Sequence, residues 1–424
     1  MGYFILFLLN LFAPFAALGV VVFFFFSPRR NLLKNLKYEL SQRFVLSPFG
    51  QRPAKSLWIH AASVGEVRSV IKLAGLLKEY YGCRIVLTTS TAAGRNTALK
   101  EPVFDKALLM PVDCYPLVKR FIKFYRPAYL YIVEADLWPN MIAASAACGI
   151  KIAVVNGRLS ARSAKRYKLL SPLVKLLMGK ITFICAQTEE IRQRYISLGA
   201  SEDKVYACGN IKYDLLNEYP SREGEVSSLF KAIGWQDAFI TVCGSTHEEE
   251  EAVIIKAARR DKDIKFVIAP RHLERKKQIL RNLAESGVKY VSLSSYKKEK
   301  DFEGCRILLA DAMGWLGAFY KKASVCFVGG SISKCGGHNF LEAAVFSKPV
   351  LFGKYYYNTP DVAEALLNCG GGVLVNEENF ASKTEDLFND KALLAECGKA
   401  AGRCSLSFKG ATDRTLKVVE KYGK

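Results

Sequence analysis

Short apolar runs alternate with amphipathic stretches along the chain from Ser56 onward. Near-continuous hydrophobicity in such runs is typical of strands that are buried on both faces of a parallel sheet. The first half of the chain contains SLWIHAAS, RIVLTTS, ALLMPVD, AYLYIVEAD, KIAVVNG, FICAQT and KVYACGN, and the second half contains FITVCGST, IKFVIAPRH, VKYVSLSS, CRILLADAM, ASVCFVGGS, KPVLFG and GGVLVN. The pattern predicts an α/β fold built from two successive arrays of βα units.

A polar, turn-prone segment between Asp214 and Asp237 separates the two arrays. Two arrays of similar length predict two Rossmann-like domains that face each other across a cleft. We expect the first domain over residues 29–215, a linker over 216–236 and the second domain over 237–424. A chain of 424 residues is longer than one hydrophobic core usually supports, which favours the same division.

The first 28 residues carry no charged side chain, and a basic stretch begins at Arg29. The 24 residues from Tyr3 to Phe26 are mostly apolar, and a helix of about 20 residues crosses the hydrocarbon core of a bilayer. Because the positive charges follow the apolar run, the positive-inside rule places the rest of the chain in the cytoplasm. A cleaved signal peptide is the alternative, but the run is too long and no basic residue precedes it. We therefore predict an N-terminal transmembrane helix within residues 1–28.

The chain is strongly basic, with 61 lysines and arginines against 40 acidic residues and a formal net charge of +21. This charge favours anionic lipid head groups, phosphorylated or carboxylated substrates, or nucleic acid as partners. No nucleic-acid-binding module is recognisable, so nucleic acid is allowed but not indicated. The 12 cysteines form no CxxC pair, and many lie in apolar runs, which is typical of free thiols in a reducing compartment.

All four histidines of the chain, His60, His247, His272 and His338, lie at or just after predicted strands. Ligands of open α/β sheets bind beyond the carboxyl ends of the strands. We therefore expect one histidine of the first array and three of the second to point toward a shared cleft, although each alone could be an ordinary helix-start residue. No HxxH or CxxC spacing is present, and we expect a metal-independent reaction.

The segment from Ser63 to Glu66 follows the first predicted strand and opens a helix. Ser-x-x-Glu is typical of a capping box, in which both side chains satisfy backbone donors at the helix start. The position also suits a general base, because the field of the helix favours an ionised carboxylate there. Both interpretations stay open, and they are compatible only if the carboxylate can leave its cap.

Further polar residues follow other strands of the first array. The strand in YLYIVEADLWPN ends in Glu134 and Asp136, and Lys212 follows a later strand in GNIKYD. These could be an ordinary helix-start acid and a solvated lysine. In the functional interpretation, Lys212 offsets negative charge on a leaving group, while Glu134 positions the acceptor or its base.

The second array offers two candidate ligand segments. Arg271 follows a strand in a turn, where it could bind a phosphate or carboxylate or simply be solvated. The segment from Gly329 to Ala343 contains paired glycines, which let backbone amides approach a ligand closely. A helix is expected to begin near Asn339, with either an Asn339–Glu342 capping box or a Glu342 that binds a ribose diol.

Taken together, these segments resemble the 3-deoxy-D-manno-octulosonic acid (Kdo) transferases of Gram-negative lipopolysaccharide synthesis. The resemblance runs from the apolar N-terminus almost to the C-terminus. It rests on eight segments in the family's order: WIHAASVGE, EADLWPN, VNGRLSARS, GNIKYD, GSTHEEEE, APRHLER, GGHNFLEAA and KPVLFG.

The resemblance implies a glycosyltransferase-B architecture, CMP-Kdo as donor and a phosphorylated lipid A precursor as acceptor, on the cytoplasmic face of the bacterial inner membrane. It implies that Glu66 accepts the proton of the acceptor hydroxyl and that Glu134 and Lys212 support the transition state. The residues that fall where the family contacts CMP are Pro270, Arg271, Met313, Gly314, Trp315, Asn339, Phe340, Leu341 and Glu342. The implied reaction inverts the anomeric configuration and uses no cofactor.

The chain departs from the family pattern at two places. Trp315 stands where the family has a glutamate, which puts a side-chain contact to the nucleotide there in doubt, although backbone amides could still serve. The helix start Asn339–Ala343 lacks the prolines that commonly flank the Leu-Glu pair. The carboxylate is present, and only the rigidity of that turn is questioned.

Two other functions are compatible with the same residues. The first is a glycosyltransferase of the same fold that uses another nucleotide-sugar donor, such as a UDP-sugar, on a lipid acceptor. The second is a membrane-tethered protein that binds anions and catalyses nothing. The acids Glu66, Glu134 and Glu342 argue against the second, because they would repel a polyanion.

Overall fold

Two seven-stranded parallel sheets organise the chain, one in each of two units. The computed structural model describes residues 1–8, 10–11, 36–46, 55–134, 136–216, 222–299 and 301–423. The first unit comprises residues 1–214 and 410–424, and the second comprises residues 215–409. The prediction of two parallel α/β units is confirmed.

The sheet of the first unit has the strand order β3-β2-β1-β4-β5-β6-β7. Its strands are β1 (Ser56–His60), β2 (Arg84–Thr89), β3 (Lys106–Leu109), β4 (Pro127–Val133), β5 (Lys151–Gly157), β6 (Phe183–Ala186) and β7 (Val205–Ala207). The chain moves outward from β1 to one edge and then returns to build the other half from β4. The neighbouring carboxyl ends of β1 and β4 therefore form a topological switch point, where ligands of such sheets bind.

Helices cover both faces of this sheet. They are α1 (Leu36–Arg43), α2 (Val64–Tyr81), α3 (Ala92–Ala98), α4 (Tyr115–Tyr125), α5 (Pro139–Ala147), α6 (Ala161–Leu169), α7 (Ser171–Met178), α8 (Glu189–Ser197) and the last helix of the chain, Ala411–Tyr422. Successive residues of β1 alternate between two cores. Trp58 packs with residues of α4 and α5, whereas Leu57 and Ile59 pack with α2 and the last helix.

The second unit repeats the design with the strand order β10-β11-β9-β8-β12-β13-β14. Its strands are β8 (Phe239–Thr246), β9 (Ile264–Pro270), β10 (Tyr290–Ser292), β11 (Ile307–Leu309), β12 (Val325–Val328), β13 (Val350–Phe352) and β14 (Gly372–Leu374). Its helices are α9 (Glu223–Ala232), α10 (Glu248–Arg260), α11 (Lys276–Ser286), α12 (Leu316–Lys322), α13 (Leu341–Ala344), α14 (Pro360–Asn368), α15 (Phe380–Asn389) and α16 (Lys391–Ser407). The switch point of this sheet lies between β8 and β12.

The boundaries between the two units differ from those expected from the sequence. The final helix, α17 (Ala411–Tyr422), belongs to the first unit, not the second. Its Tyr422 ring stacks on Phe183 of β6 at a centroid distance of 5.2 Å. Helix α9 occupies most of the described part of the expected linker and belongs to the second unit. Burial of aromatic and aliphatic side chains against β6 explains why the last helix lies with the first unit, a long-range contact that no local pattern encodes.

The predicted transmembrane helix over Tyr3–Phe26 falls largely outside the described residues, which omit residue 9 and residues 12–35. Residues 2–8 are helical. Among the residues that the structure describes, we find no helix with the length and apolarity needed to cross a bilayer.

Asp214 secures the start of α17, and its removal should loosen that helix. Its two carboxylate oxygens accept the backbone N–H groups of Gly410 and Thr412, at 2.7 and 2.6 Å. Asp214→Ala leaves both donors without this acceptor, at a cost of about 1–3 kcal/mol. We expect the amides of α17 to exchange hydrogen roughly tenfold faster or more in mass-spectrometric exchange.

The matched control is Asp413→Ala, which removes an exposed acid from the first turn of the same helix. It should change exchange by a few tenths of a kcal/mol at most. Equal exchange of α17 in the Asp214 variant and the parent protein would contradict the assigned role of Asp214.

Candidate active site

The first unit gathers acids, a histidine and a lysine around the switch point of its sheet. Glu66 lies in the first turn of α2, directly after β1, and Glu134 and Asp136 follow β4. Lys212 lies in the 3₁₀ turn Ile211–Leu215, beyond β7. The first three positions follow from the topology, because parallel strands end at one edge of the sheet.

The capping box predicted at Ser63 and Glu66 is present in part: the Ser63 hydroxyl accepts the Glu66 N–H at 3.4 Å, but the Glu66 carboxylate accepts the N–H of Ala62 and not that of Ser63. Ser63 is the N-cap of α2, and its hydroxyl donates to Glu66 Oε1 at 2.9 Å. The backbone N–H of Ala62 donates to Oε2 at 2.7 Å. Both carboxylate oxygens therefore have a partner, and the half-buried Glu66 can receive a substrate hydroxyl only if one of these partners gives way.

The surroundings of Glu66 favour its protonated form, contrary to what the helix field alone suggests. Burial is the main cause and raises the pKa of its carboxyl, while the hydrogen bonds from Ala62 and Ser63 oppose the rise. The neighbouring carboxylates of Glu134 and Asp136 raise the pKa of Glu66 further. A carboxylate with a raised pKa is a stronger base than an exposed one, which is the property that proton abstraction needs.

Glu134 and Lys212 form an ion pair. The Lys212 Nζ lies 2.5 Å from Glu134 Oε1, and the Glu134 side chain is only 12% exposed. The pair joins the end of β4 to the turn that follows β7. Of the two interpretations of Lys212, the solvated lysine is excluded: its ammonium group is paired with a largely buried carboxylate, and each charge compensates the other.

Asn156 is a site residue that the sequence reasoning missed. Its Oδ1 accepts the backbone N–H of Ile211 at 3.1 Å, and its Nδ2 lies 3.5 Å from Glu134 Oε1. It therefore connects Glu134 to the segment that carries Lys212. Asn156 and Glu134 both adopt positive φ, 53° and 62°, a conformation that L-residues other than asparagine and aspartate rarely tolerate without tertiary support. The Asn-Gly pair ending KIAVVNG was the available signal, because Asn accepts this conformation readily.

A row of polar side chains leads from Trp58 through the sheet toward Asp136. The Trp58 indole donates to Thr88 Oγ1 at 2.8 Å, and that hydroxyl lies 3.0 Å from Nδ1 of the fully buried His60. Because an indole N–H can only donate, Thr88 Oγ1 is the acceptor of the Trp58 bond. The other ring nitrogen of His60, Nε2, lies 3.5 Å from Asp136 Oδ2, and this imidazole lowers the pKa of Asp136. His60 is thus a positioning residue for an acid beside Glu66.

In the second unit, the glycine loop is occupied by the protein's own carboxylate. Glu250, in the first turn of α10, is fully buried. Its oxygens accept the backbone N–H groups of Gly330, Ser331 and Ile332 at 2.9–3.0 Å. It also accepts the N–H of His247 at 3.0 Å. The amides that we expected to approach a ligand bind Glu250 instead.

The glycines of this loop provide room for side chains of the same unit. A Cβ at Gly329 would lie 2.4 Å from the Ser245 carbonyl oxygen and 2.7 Å from Glu250 Oε2. A Cβ at Gly330 would lie 2.9 Å from His338 Cδ2, and Gly330 has a φ of +75°. The paired glycines therefore allow Glu250 and His338 to take their places.

The donor-site candidates around α13 include two buried apolar side chains and two polar side chains that bond within a local turn. Phe340 and Leu341 are fully buried, and Phe340 packs on Phe352 at a centroid distance of 4.5 Å. Only their backbones can therefore meet a ligand. The Asn339 Oδ1 accepts the N–H of Leu341, and its Nδ2 lies 3.4 Å from Glu342 Oε1. The helix begins at Leu341, two residues later than expected, so the capping box at Asn339 is replaced by this local turn.

The remaining candidates lie at the carboxyl ends of β9 and β11. Pro270 ends β9, and Arg271 follows it with an exposed side chain. Met313 is 79% exposed, and Gly314 has a φ of +82°. The Trp315 ring has the Arg222 guanidinium 4.7 Å from its centroid and lies 6.1 Å from the near-parallel ring of Phe319. Trp315 therefore packs on residues of its own unit.

Within the described ranges, no three His, Cys, Asp or Glu side chains are arranged so that they could hold a metal ion.

Comparison with known proteins decides the family. Residues 38–215 match the family model described as 3-Deoxy-D-manno-octulosonic-acid transferase (kdotransferase). A 3-deoxy-D-manno-octulosonic acid transferase of Haemophilus influenzae is 32% identical over 379 residues, which are 87% of this chain and 88% of that protein. The chain belongs to the Kdo transferase family. A Chlamydophila psittaci protein of the same description is 30% identical to this family member over 86% of the chain and 84% of that protein.

A longer relative of this transferase family member occurs in Fusobacterium nucleatum. It is described as a bifunctional glycosyltransferase/methyltransferase and is 35% identical over 343 residues, which are 79% of this chain. The matched region is only 53% of that protein, so the chain spans about half of its length.

Solved structures support the fold of this Kdo transferase family member. A UDP-GlcNAc 2-epimerase from Neisseria meningitidis matches 87% of the chain with a TM-score of 0.60 at 15% identity, and 100% of that structure is covered. A glycosyltransferase from Rickettsia africae matches 88% of the chain with a TM-score of 0.60 at 14% identity, again with 100% of that structure covered. These likenesses concern the two-unit α/β fold alone.

Replacing Glu66 by glutamine should leave the cap in place and remove a charge that opposes folding. Because the folded-state pKa of Glu66 is raised, its ionisation costs stability at neutral pH, and this cost disappears below the unfolded-state pKa of about 4.3. We expect Glu66→Gln to equal the parent protein or exceed it by up to about 1 kcal/mol at pH 7.5. Urea unfolding at pH 7.5 and 4.5 should show the difference shrinking at the lower pH.

Glu79→Gln is the matched control, since Glu79 is exposed near the other end of α2. It should leave the unfolding free energy nearly unchanged at both pH values. A loss of more than about 1 kcal/mol in Glu66→Gln at pH 7.5 would mean that the ionised form stabilises the fold and that the pKa is lowered.

The absence of a side chain at Gly329 should be required for the stability of the second unit. In Gly329→Ala, the new Cβ would strike the Ser245 carbonyl, a backbone atom that cannot easily move. We expect urea unfolding of the second unit to report a loss of about 2 kcal/mol or more. Gly224→Ala in α9, where a Cβ meets nothing within 4 Å, should be neutral or stabilising by up to about 1 kcal/mol. Equal stability of the two variants would refute the assignment.

Proposed function

We propose that this chain is an inverting, metal-independent glycosyltransferase that transfers Kdo from CMP-Kdo to a lipid A precursor (lipid IVA) in lipopolysaccharide core biosynthesis. Family membership supports Kdo transfer, because several relatives carry that description over most of their length. The donor, the acceptor and the stereochemistry are parts of the proposal.

The observation that carries the proposal is the state of Glu66. It is half-buried at the switch point of the first sheet, and the pKa of its carboxyl is raised by burial and by Glu134 and Asp136. In the proposed reaction, the Ser63 hydroxyl releases Oε1, and the acceptor hydroxyl takes its place. As the acceptor oxygen attacks the anomeric carbon, its proton passes to Glu66.

The reaction proposed here is a single displacement. The bond from the acceptor oxygen to the anomeric carbon forms while the bond to the phosphate oxygen of CMP breaks, and the electron pair leaves with that phosphate. Attack from the opposite face inverts the anomeric configuration. The partly buried carboxylates of Glu134 and Asp136 suit a transition state with positive charge on the sugar ring, and the Lys212 ion pair holds Glu134 in position.

For the donor, we propose the carboxyl ends of β8, β9 and β12 in the second unit. The exposed guanidinium of Arg271 suits a phosphate, since its fork of donors matches phosphate oxygens. We assign Glu342 and the backbones around Gly314, Phe340 and Leu341 to the nucleoside. Trp315 serves there by positioning the Gly314 backbone through its packing on Phe319 and Arg222.

A surface of the first unit supports action at an anionic membrane. The aromatic residues Tyr3, Phe4 and Phe7 are 60–66% exposed, and Leu169, at the end of α6, is 84% exposed. Helix α6 carries the exposed basic side chains Arg162, Lys165, Arg166 and Lys168. Gly2 packs on the Pro172 carbonyl of α7, so the N-terminal aromatic residues lie against the same part of the unit. Apolar and basic side chains together suit the surface of a bilayer with phosphorylated lipids.

Glu66→Gln tests the proposed base. Glutamine can accept from Ala62 through its oxygen and donate to Ser63 Oγ through its NH₂ group, but it cannot accept a proton, so we expect kcat for Kdo transfer to fall by about 10²–10⁴. Binding of CMP should be unchanged, because Glu66 and the donor candidates lie on different units. Glu79→Gln should retain parental turnover. A Glu66→Gln variant with parental turnover would remove Glu66 from the role.

Nucleotide protection separates the proposed donor from the alternative. Full-length protein is heated with CMP or with UDP, and the shift in unfolding temperature is measured. A specific CMP donor site predicts a concentration-dependent rise with CMP and little or none with UDP. Stabilisation by UDP alone would instead favour a UDP-sugar donor.

A further inference from the structure

Two histidines of the second unit lie in direct contact. The Nε2 atoms of His247 and His338 are 3.0 Å apart, and the two rings are parallel to within 6°. Two imidazole nitrogens can approach this closely only when one carries a proton and donates it to the other. Both side chains are half-buried. The two imidazoles therefore form a pair that already shares one proton.

Glu250 fixes both chain segments that carry the two histidines, so the contact between the imidazoles is built into the fold. Glu250 accepts the N–H of His247 and that of Gly330. The N–H of His338 then donates to the Gly329 carbonyl at 3.2 Å. Gly330 has no Cβ, and any Cβ there would press on the His338 ring.

Burial, with nearby positive charge, favours the neutral form of both imidazoles in the free protein. Burial is the main cause that lowers the pKa of His247; His272, Arg275 and Arg271 lower it further, while Glu250 raises it. The pKa of His338 falls to about 4, through burial first and then through Arg271 and the other two imidazoles. The Cys335 Sγ lies 3.8 Å from His247 Nδ1 on the remaining side. An anion bound beside the two histidines would raise their pKa, because its negative charge stabilises an imidazolium.

We propose that the His247–His338 pair takes up one further proton when the nucleotide phosphate binds beside Arg271, and so neutralises the charge of the leaving group. This rests on the proposed function, which supplies CMP-Kdo as donor. When the bond from the anomeric carbon to the phosphate oxygen breaks, the electron pair raises the phosphate charge from one to two negative. The proton comes from solvent and stays on the imidazole pair, while the acceptor proton goes separately to Glu66.

Proton uptake can be counted by titrating the full chain with CMP in a calorimeter at pH 7.5, in two buffers of different ionisation enthalpy. The second pKa of a phosphate monoester is about 6, so CMP is already dianionic and contributes no uptake of its own. The slope of binding enthalpy against buffer ionisation enthalpy gives the number of protons, and we expect close to one. Since the imidazole pKa is low when free and raised when bound, CMP affinity should fall as pH rises from 6.5 to 8.5.

The variants His338→Asn and His247→Asn identify the groups that take up the proton. Asparagine can hydrogen-bond but cannot be protonated, and at position 247 it remains a good N-cap for α10. In each variant we expect proton uptake near zero, a flatter pH dependence and a Kd for CMP about tenfold higher, equivalent to about 1.4 kcal/mol. His272→Asn removes the more exposed imidazole that pairs with Glu274 at 3.2 Å and should keep the uptake of one proton.

Three results would overturn the pair while leaving CMP as the donor nucleotide: binding of CMP with no proton uptake, uptake that survives in both pair variants, or uptake lost only in His272→Asn. The first of these needs no variant, so it does not depend on how a substitution folds. A parent protein that binds no CMP at all would overturn the proposed function, and the present inference with it.

Discussion

Both units depend on the same interaction, a glutamate in the first turn of the helix after the first strand that bonds back to the turn before it. In the first unit, Glu66 accepts from Ala62 and Ser63. In the second, Glu250 accepts from His247 and the glycine loop. A carboxylate at this position satisfies backbone donors that would otherwise be buried without a partner.

The two glutamates differ in how many hydrogen-bond donors their carboxylates have, and this difference indicates which of them is suited to react. Glu250 is fully buried and accepts hydrogen bonds from several backbone amides, so it fixes the loop. Glu66 has two partners and neighbouring carboxylates, and the pKa of its carboxyl is raised. The less satisfied carboxylate is the one suited to exchange a partner for a substrate. Under the proposed function, the same helix start provides a base in one unit and a positioning residue in the other.

The arrays of strands, the polar residues at their carboxyl ends and the Ser63 N-cap could be predicted from sequence, because they follow from local periodicity and from the topology of parallel sheets. Contacts between distant segments could not. The attachment of α17 through Asp214 spans almost 200 positions, and Asn156 acts through a positive-φ backbone that no periodicity reveals. The glycine loop was assigned to a ligand because glycine permits close approach, but the sequence does not say that Glu250 makes that approach.

The central claim is transfer of Kdo, and product mass tests it most directly. Freshly generated CMP-Kdo and a tetraacylated lipid A precursor are incubated with membrane-reconstituted full-length protein, and the lipid products are resolved by mass. Our account predicts a product heavier than the acceptor by one or more Kdo residues. An acceptor of unchanged mass, under conditions in which the protein is folded and binds CMP, would contradict it.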